Sequence, residues 1–217
     1  PSSLASAHYM YISSADPAVS HLDNNTTDHG VTGITKVGTW DGGPDTDRAF
    51  YQFSTSAIAG ASVVSASMSF HEFWSYSCTP EEVDLYTAAN FTSANSWNSP
   101  PAAYGEFGAL RAAHGYSSSC PADLVTFTPS TPGSSGNLTT LAQQWATNAA
   151  DGTQNHQLAS VELRSPDEVD DSYWKKFAGN GATLSITYNS TPSVVAGRST
   201  SPARSSWCTA PTRRSAR

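Results

Sequence analysis

Apolar and polar positions alternate along most of this chain. Between residues 62 and 74 the even-numbered positions from Val64 to Phe70 are apolar, and the positions between them are serine. Alternation with a period of two places one face of a β-strand in a core and the other in water, as in half-buried antiparallel strands. The pattern predicts strands over 31–40, 48–54, 62–74, 82–88, 123–129, 156–164 and 182–189.

One segment has a helical period instead. After Asn137, an acceptable N-cap, apolar residues recur three or four positions apart, and Gly152 provides a stop signal. The spacing predicts one short α-helix over about 137–150 that covers an end or a face of the strands, with Trp145 as its anchor. The apolar positions are Leu138, Leu141, Ala142, Trp145 and Ala149.

The order of these elements predicts an all-β fold. Seven or more short strands, separated by Gly, Pro, Asn and Asp clusters, favour a single antiparallel, jelly-roll-like β-sandwich over residues 1–190. From 191 to 217 the chain is rich in Ser, Pro and Arg and has no periodicity, so we predict a disordered tail or linker there.

The charge distribution narrows the range of partners. All 18 Asp and Glu residues precede position 172, whereas only six of the 11 Lys and Arg residues precede position 198. An acidic body repels phosphate backbones, which argues against nucleic acid. No apolar run is long enough to cross a membrane, so membrane insertion is not expected. A neutral, polar and aromatic composition is typical of extracellular β-proteins, and we expect a secreted protein, part of a larger multidomain one.

The three cysteines suggest one disulfide. Cys78 and Cys120 have similar settings, YSCTP and SSCPA, and we predict that they pair, which implies an oxidising compartment. Cys208 is then left over in the tail. Three free thiols are the alternative. No cysteine or histidine spacing indicates zinc.

Several segments together resemble a known family. The stretch DRAFYQFSTSAIAGASVVSASMSFHEFW resembles the R-x-ϕ-x-x-F-D-x-S signature, with ϕ apolar, of DNRLRE (disaggregatase-related) β-sandwich modules of secreted bacterial and archaeal proteins. NSWNSPP stands where those modules carry T-W-x-x-x-P, and GATLSITYN is similar to their closing strand. The resemblance covers about residues 8–189. The chain departs from the signature with Phe53-Ser54 in place of F-D.

The resemblance implies a jelly-roll β-sandwich in an extracellular, non-catalytic role. Some members are carbohydrate-binding modules and others are structural spacers. We therefore expect a module that binds a polysaccharide or glycan weakly, or a structural or adhesive spacer, within a larger secreted or cell-surface protein. The signature consists mainly of core and turn residues, so it transfers no catalytic residue.

Aromatic residues near turns are the candidate sugar contacts. An exposed ring stacks on the apolar face of a pyranose, while neighbouring polar groups bond to its hydroxyls. The alternative is that these rings pack in the core. The predicted carbohydrate-binding residues are Trp74, Tyr76, Trp174, Tyr173 and Glu162.

Two acidic loops make calcium a candidate structural cofactor. DGGPDTD and PDEVDD offer hard oxygen ligands in irregular loops, which suit Ca²⁺, although neither has EF-hand spacing. Solvated turn residues are the alternative, and a melt with and without chelator separates the two. The predicted metal ligands are Asp41, Asp45, Asp47, Asp167 and Asp170.

Two functions of other classes remain open. Glu72 and Glu162 near aromatic rings could serve as acid and base in a glycoside hydrolase or lyase acting on a polysaccharide. Alternatively, each glutamate lies on a solvent face or pairs with a neighbour such as Arg164. The third candidate is an interaction domain that uses its acidic surface.

Overall fold

The structure, a computed structural model, describes residues 1–131 and 133–189. Pro132 and the predicted tail over 191–217, with Cys208, lie outside the described residues. The strands are β1 (Ser2–Ser13), β2 (His21–Leu22), β3 (Thr27–Asp28), β4 (Val31–Thr32), β5 (Ile34–Thr39), β6 (Thr46–Ser54), β7 (Ser62–Ser75), β8 (Glu81–Ala88), β9 (Ala103–Ala112), β10 (Asp123–Phe127), β11 (Leu158–Arg164), β12 (Lys175–Ala178) and β13 (Thr183–Asn189), and the helix is α1 (Leu138–Ala149). The all-β prediction with one short helix is confirmed.

Two strands pass from one layer of the fold to the other. The first half of β1 pairs with β13 and its second half with β6. Likewise, β5 pairs with β12 up to Val37 and with β6 from Gly38. Hydrogen bonds therefore run continuously around a barrel-like core, and every strand pairing in the described part of the chain is antiparallel. We call β7, β10, β12 and β13 the first layer, and β6, β8, β9 and β11 the second layer.

The inner faces of the two layers share one apolar core. Phe70 of β7 lies at the centre, with its ring 4.8 Å from that of Tyr51 and 6.0 Å from that of Phe127. Val161 and Leu163 of β11 and Leu184 of β13 belong to the same buried cluster. On the outer face of the second layer a smaller cluster forms around Met10, Ile12, Phe50, Ala88 and Phe91.

The helix begins and ends as its sequence predicts. The side chain of Asn137 accepts a hydrogen bond from the backbone N–H of Thr140, and Gly152 has a positive φ of 73° just beyond the last turn. Trp145 is buried in the core. Gln143 accepts from the N–H of Val63 and Thr139 from that of Ala66, so α1 also satisfies an edge of β7.

A register shift in β7 corrects one detail of the alternation. Thr187 of β13 lies opposite Ser65, whereas Tyr188 lies opposite Val63. The extra residue reverses the facing of the first positions of β7, as a β-bulge does. Val64, which we expected on the same face as Phe70, is therefore 56% exposed, and Val63 packs against the core instead.

The predicted disulfide is present. Cys78 and Cys120, which are 42 positions apart in the sequence, are bonded. The bond ties the turn between β7 and β8 to the loop between β9 and β10. It indicates an oxidising environment, in which such bonds persist.

Candidate functional site

Four of the five predicted sugar contacts lie close together at one end of the fold. In the pairing of β7 with β12, Trp74 lies opposite Lys176, and the rings of Trp74 and Trp174 meet edge-on with centroids 4.6 Å apart. The backbone N–H of Tyr76 donates to the carbonyl of Trp174, and Tyr173 directly precedes that residue. Glu162 is the exception, because it lies on β11 in the second layer.

A lysine connects the two tryptophans to an acid. The ammonium of Lys176 lies 5.1 Å from the centroid of Trp74 and 4.8 Å from that of Trp174, which is cation–π geometry. It also forms an ion pair with Asp28 of β3. Burial opposes ionisation of Asp28, but the hydrogen bond and charge of Lys176 lower the pKa of this carboxyl.

Trp174 lines a small surface cavity of about 270 Å³, which we call the Trp174 pocket. Trp40 lines the same pocket and is 53% exposed, and its indole N–H donates to Asp45 at 2.6 Å. Asp45 is itself fixed by a hydrogen bond of 2.9 Å from Ser13. The complete lining is Tyr11, Thr26, Thr27, Asp28, Ile34, Lys36, Trp40, Trp174 and Lys176.

A buried carboxylate lies behind the Trp174 pocket. Asp47 is 1% exposed, and its carboxylate is 4.0 Å from the ammonium of Lys36. Burial raises the pKa of Asp47 to about 7 despite the lowering effect of that lysine. Burial, together with the charge of Asp47, also raises the pKa of Tyr11 to about 12. The Lys36 ammonium also lies 5.0 Å from the centroid of the Tyr11 ring, which is cation–π geometry.

The two predicted metal-binding loops are in contact, but their carboxylates bond to different partners within the protein. Thr46 donates to the carbonyl of Glu168, which brings the loops into contact. Within residues 1–131 and 133–189, no group of three or more His, Cys, Asp or Glu could hold a metal ion. Calcium binding stays a prediction. In the first loop, Asp41 accepts hydrogen bonds from Thr39 and from the N–H of Asp45, Asp45 accepts from Ser13 and Trp40, and Asp47 is buried near Lys36. In the second loop, Asp167 accepts from the N–H of Val169, and Asp170 accepts from the N–H of Ser172.

The glutamates of the enzymatic alternative have no partner in common. Glu72 is fully buried in the first layer, with its carboxylate 3.4 Å from Lys175. Glu162 lies on the outer face of the second layer, where Arg164 donates to it at 2.8 Å. The ion pair with Arg164 follows the alternative considered from the sequence.

Sequence reasoning missed a polar network around Glu162. Arg48 binds Glu168 through two hydrogen bonds of 2.7 and 2.8 Å and lies 4.8 Å from the ring centroid of Trp97. Arg164 lies 5.0 Å from the centroid of Tyr86. These contacts depend on the register between β8, β11 and β6, for which the sequence contains no local signal.

Comparisons with known proteins do not assign the chain to a family. Neither a protein-family model nor a curated protein matches the chain. The resemblance to DNRLRE modules therefore stays a prediction. Among the described residues, no helix is long and apolar enough to span a membrane.

Proposed function

We propose that the chain is a non-catalytic module that binds a glycan through the Trp174 pocket, within a secreted or cell-surface protein. The observation that carries the proposal is the position of Trp40. Its large apolar ring is half exposed and lines the same cavity as Trp174. A hydrogen bond to Asp45 holds this ring in place before any ligand arrives, which reduces the entropy lost on binding.

The other groups of the pocket suit a sugar. Thr26 and Thr27 provide hydroxyls, and Asp28 and Lys36 provide charged hydrogen-bonding groups beside the indole rings. Apolar ring faces surrounded by a few fixed polar groups are typical of small-ligand sites. At about 270 Å³ the cavity is smaller than those that enclose drug-sized ligands. We therefore expect it to hold a single sugar unit and to bind weakly.

The disulfide supports the extracellular part of the proposal. Cys78–Cys120 is a bond that persists in oxidising compartments, and secreted proteins are made and kept there. A weak sugar site is useful in a larger protein, because several such sites on one polymer increase the apparent affinity without new contacts.

A glycan array probed with the whole chain tests the proposal. We expect a restricted set of glycans to bind, and Trp40→Ala to reduce that binding about tenfold or more because the stacking surface is lost. Tyr104→Ala is the matched control, since Tyr104 is 70% exposed on β9 and lies outside the Trp174 pocket. If no glycan binds, the proposal fails and the spacer role takes its place. Equal binding by Trp40→Ala and the wild type would exclude the Trp174 pocket.

A further inference from the structure

A second cavity on the opposite layer contains an acid without a partner. Asp84 of β8 is only 7% exposed, and its Oδ1 atom has no hydrogen-bond partner among the described residues. Asp84 lines a cavity of about 450 Å³, which we call the Asp84 pocket. A buried carboxylate oxygen without a hydrogen bond is costly, so its presence beside a cavity favours a partner supplied by a ligand. The pocket is lined by Asp84, Tyr86, Arg164, Ser165, Pro166 and Glu168.

The two arginines beside Glu162 are engaged with acids other than Asp84. Arg164 lies directly opposite Asp84 in the pairing of β8 with β11, yet its Nε donates to Oε1 of Glu162 at 2.8 Å, and its Nη2 forms an ion pair with the same oxygen at 2.8 Å. Arg48 is held by Glu168 through two hydrogen bonds. In the described part of the chain no ion pair reaches Asp84, so neither arginine neutralises it directly.

Further acids add to the negative charge at this place. Burial and the charges of Glu82 and Glu106 raise the pKa of Asp84 to about 6, against a lowering by Arg164. At pH 7 the carboxyl is therefore still mainly ionised. A ligand cation would gain a charge-assisted hydrogen bond with Asp84 and would relieve the repulsion among the three acids.

We infer that the Asp84 pocket binds the ammonium group of an amino sugar. The inference rests on the proposed glycan function and adds a ligand class at a separate site. The lining offers the carboxylates of Asp84 and Glu168 and the guanidinium of Arg164, so a hydroxylated carrier fits it better than an aliphatic stem. Because the Arg164 guanidinium lies over the Tyr86 ring, hydrogen bonding rather than stacking provides the recognition.

The test compares three sugars that differ at one position. The whole chain, labelled with ¹⁵N, is titrated at pH 7 with glucosamine, glucose and N-acetylglucosamine, and amide shifts of Tyr86 and Ser165 are followed. We expect glucosamine to bind about tenfold or more tightly than the other two, because only it carries the ammonium. Asp84→Asn keeps the shape of the side chain and should abolish this preference. Asp123→Asn, an exposed acid on β10 of the first layer, should retain it.

Several results would overturn the inference. Equal affinity for glucose and glucosamine would do so, and so would an undiminished preference in Asp84→Asn. Binding of Nα-acetyl-lysine amide, which keeps the side-chain ammonium, as tightly as glucosamine would assign the pocket to a basic peptide instead. Trp40→Ala distinguishes this site from the Trp174 pocket. When it is titrated with glucosamine, its amide shifts at Tyr86 and Ser165 should match those of the wild type, and this result is expected even if the glycan array is negative.

Discussion

The carboxylate of Glu72 lies 3.4 Å from the ammonium of Lys175 in the interior of the protein, where both side chains are excluded from water. The lysine also donates to the carbonyl of Ala112 at 2.6 Å. Burial raises the pKa of Glu72 to about 7 and lowers the pKa of Lys175. A buried ion pair gains little over an apolar pair of the same size, but each charge needs the other.

Removal of Lys175 alone should therefore be costly. Lys175→Met leaves the Glu72 carboxyl without a counter-charge, and we expect the free energy of unfolding to fall by roughly 3–5 kcal/mol in chemical denaturation at pH 7. The double variant Glu72→Leu/Lys175→Met should recover most of that loss, because no lone buried charge remains. Equal losses in the single and double variants would contradict this account of the pair.

Asp47 should make stability depend on pH. Its pKa rises from 3.8 in the unfolded chain to about 7 in the folded protein, chiefly through burial. The folded protein thus binds the extra proton more tightly, and the associated stability is complete below pH 4 and is lost as the pH rises through about 7. Relative to Asp47→Asn, the wild type should lose roughly 2–4 kcal/mol between pH 4 and pH 8.

Urea unfolding of both proteins at each pH measures this difference. Asn cannot ionise, so the free energy of unfolding of Asp47→Asn lacks this one contribution, while all other titrating groups are shared. Parallel pH profiles for the two proteins would show that Asp47 titrates alike in the folded and unfolded chain, against the expectation from its burial.

The fold was predictable from local signals, with instructive exceptions. Strand β7 alternates from Ser65 to Phe70, and α1 combines a helical period with an Asn cap and a glycine stop. The long strand β1 was missed because it changes layers, so that its first half is largely exposed and its second half is buried. In β9 the residues Gly105 and Gly108 interrupt the alternation, and the strand was missed for that reason.

The candidate sites were predictable only in part. The grouping of Trp74, Tyr76, Tyr173 and Trp174 follows from aromatic residues near turns at the same end of the fold. Of these four residues only Trp174 lines the Trp174 pocket. The other lining residues come from distant segments, such as Tyr11 on β1 and Lys36 on β5, and meet because those strands cross between layers. Oδ1 of Asp84 has no partner among the described residues, while Arg164 directly opposite bonds to Glu162, a choice that the sequence does not specify.

The disulfide should contribute measurably to stability. The bonded cysteines are 42 positions apart in the sequence, and in the chain-entropy description such a bond lowers the entropy of the unfolded chain enough to add about 4 kcal/mol to the free energy of unfolding. We expect reductant to lower the free energy of unfolding of the wild type by about this amount. Cys78→Ser/Cys120→Ser should be equally destabilised and insensitive to reductant, which also controls for Cys208. No response of the wild type to reductant would contradict the prediction.

Gly115 should tolerate no side chain, for a reason that a second glycine can isolate. It has φ of +85°, and an added Cβ would collide with the backbone carbonyl of Phe73 on β7. Gly152 has a similar φ of +73°, but nothing lies within 4 Å of its added Cβ. Gly152→Ala therefore reports the backbone cost alone, a loss of about 1–2 kcal/mol in the free energy of unfolding.

Gly115→Ala adds the collision, because the loop that carries Cys120 crosses β7 here, and its free energy of unfolding should fall by roughly 3 kcal/mol or more. Similar losses in thermal or urea unfolding of the two variants would mean that the loop can move away from β7, and that the contact does not fix its position.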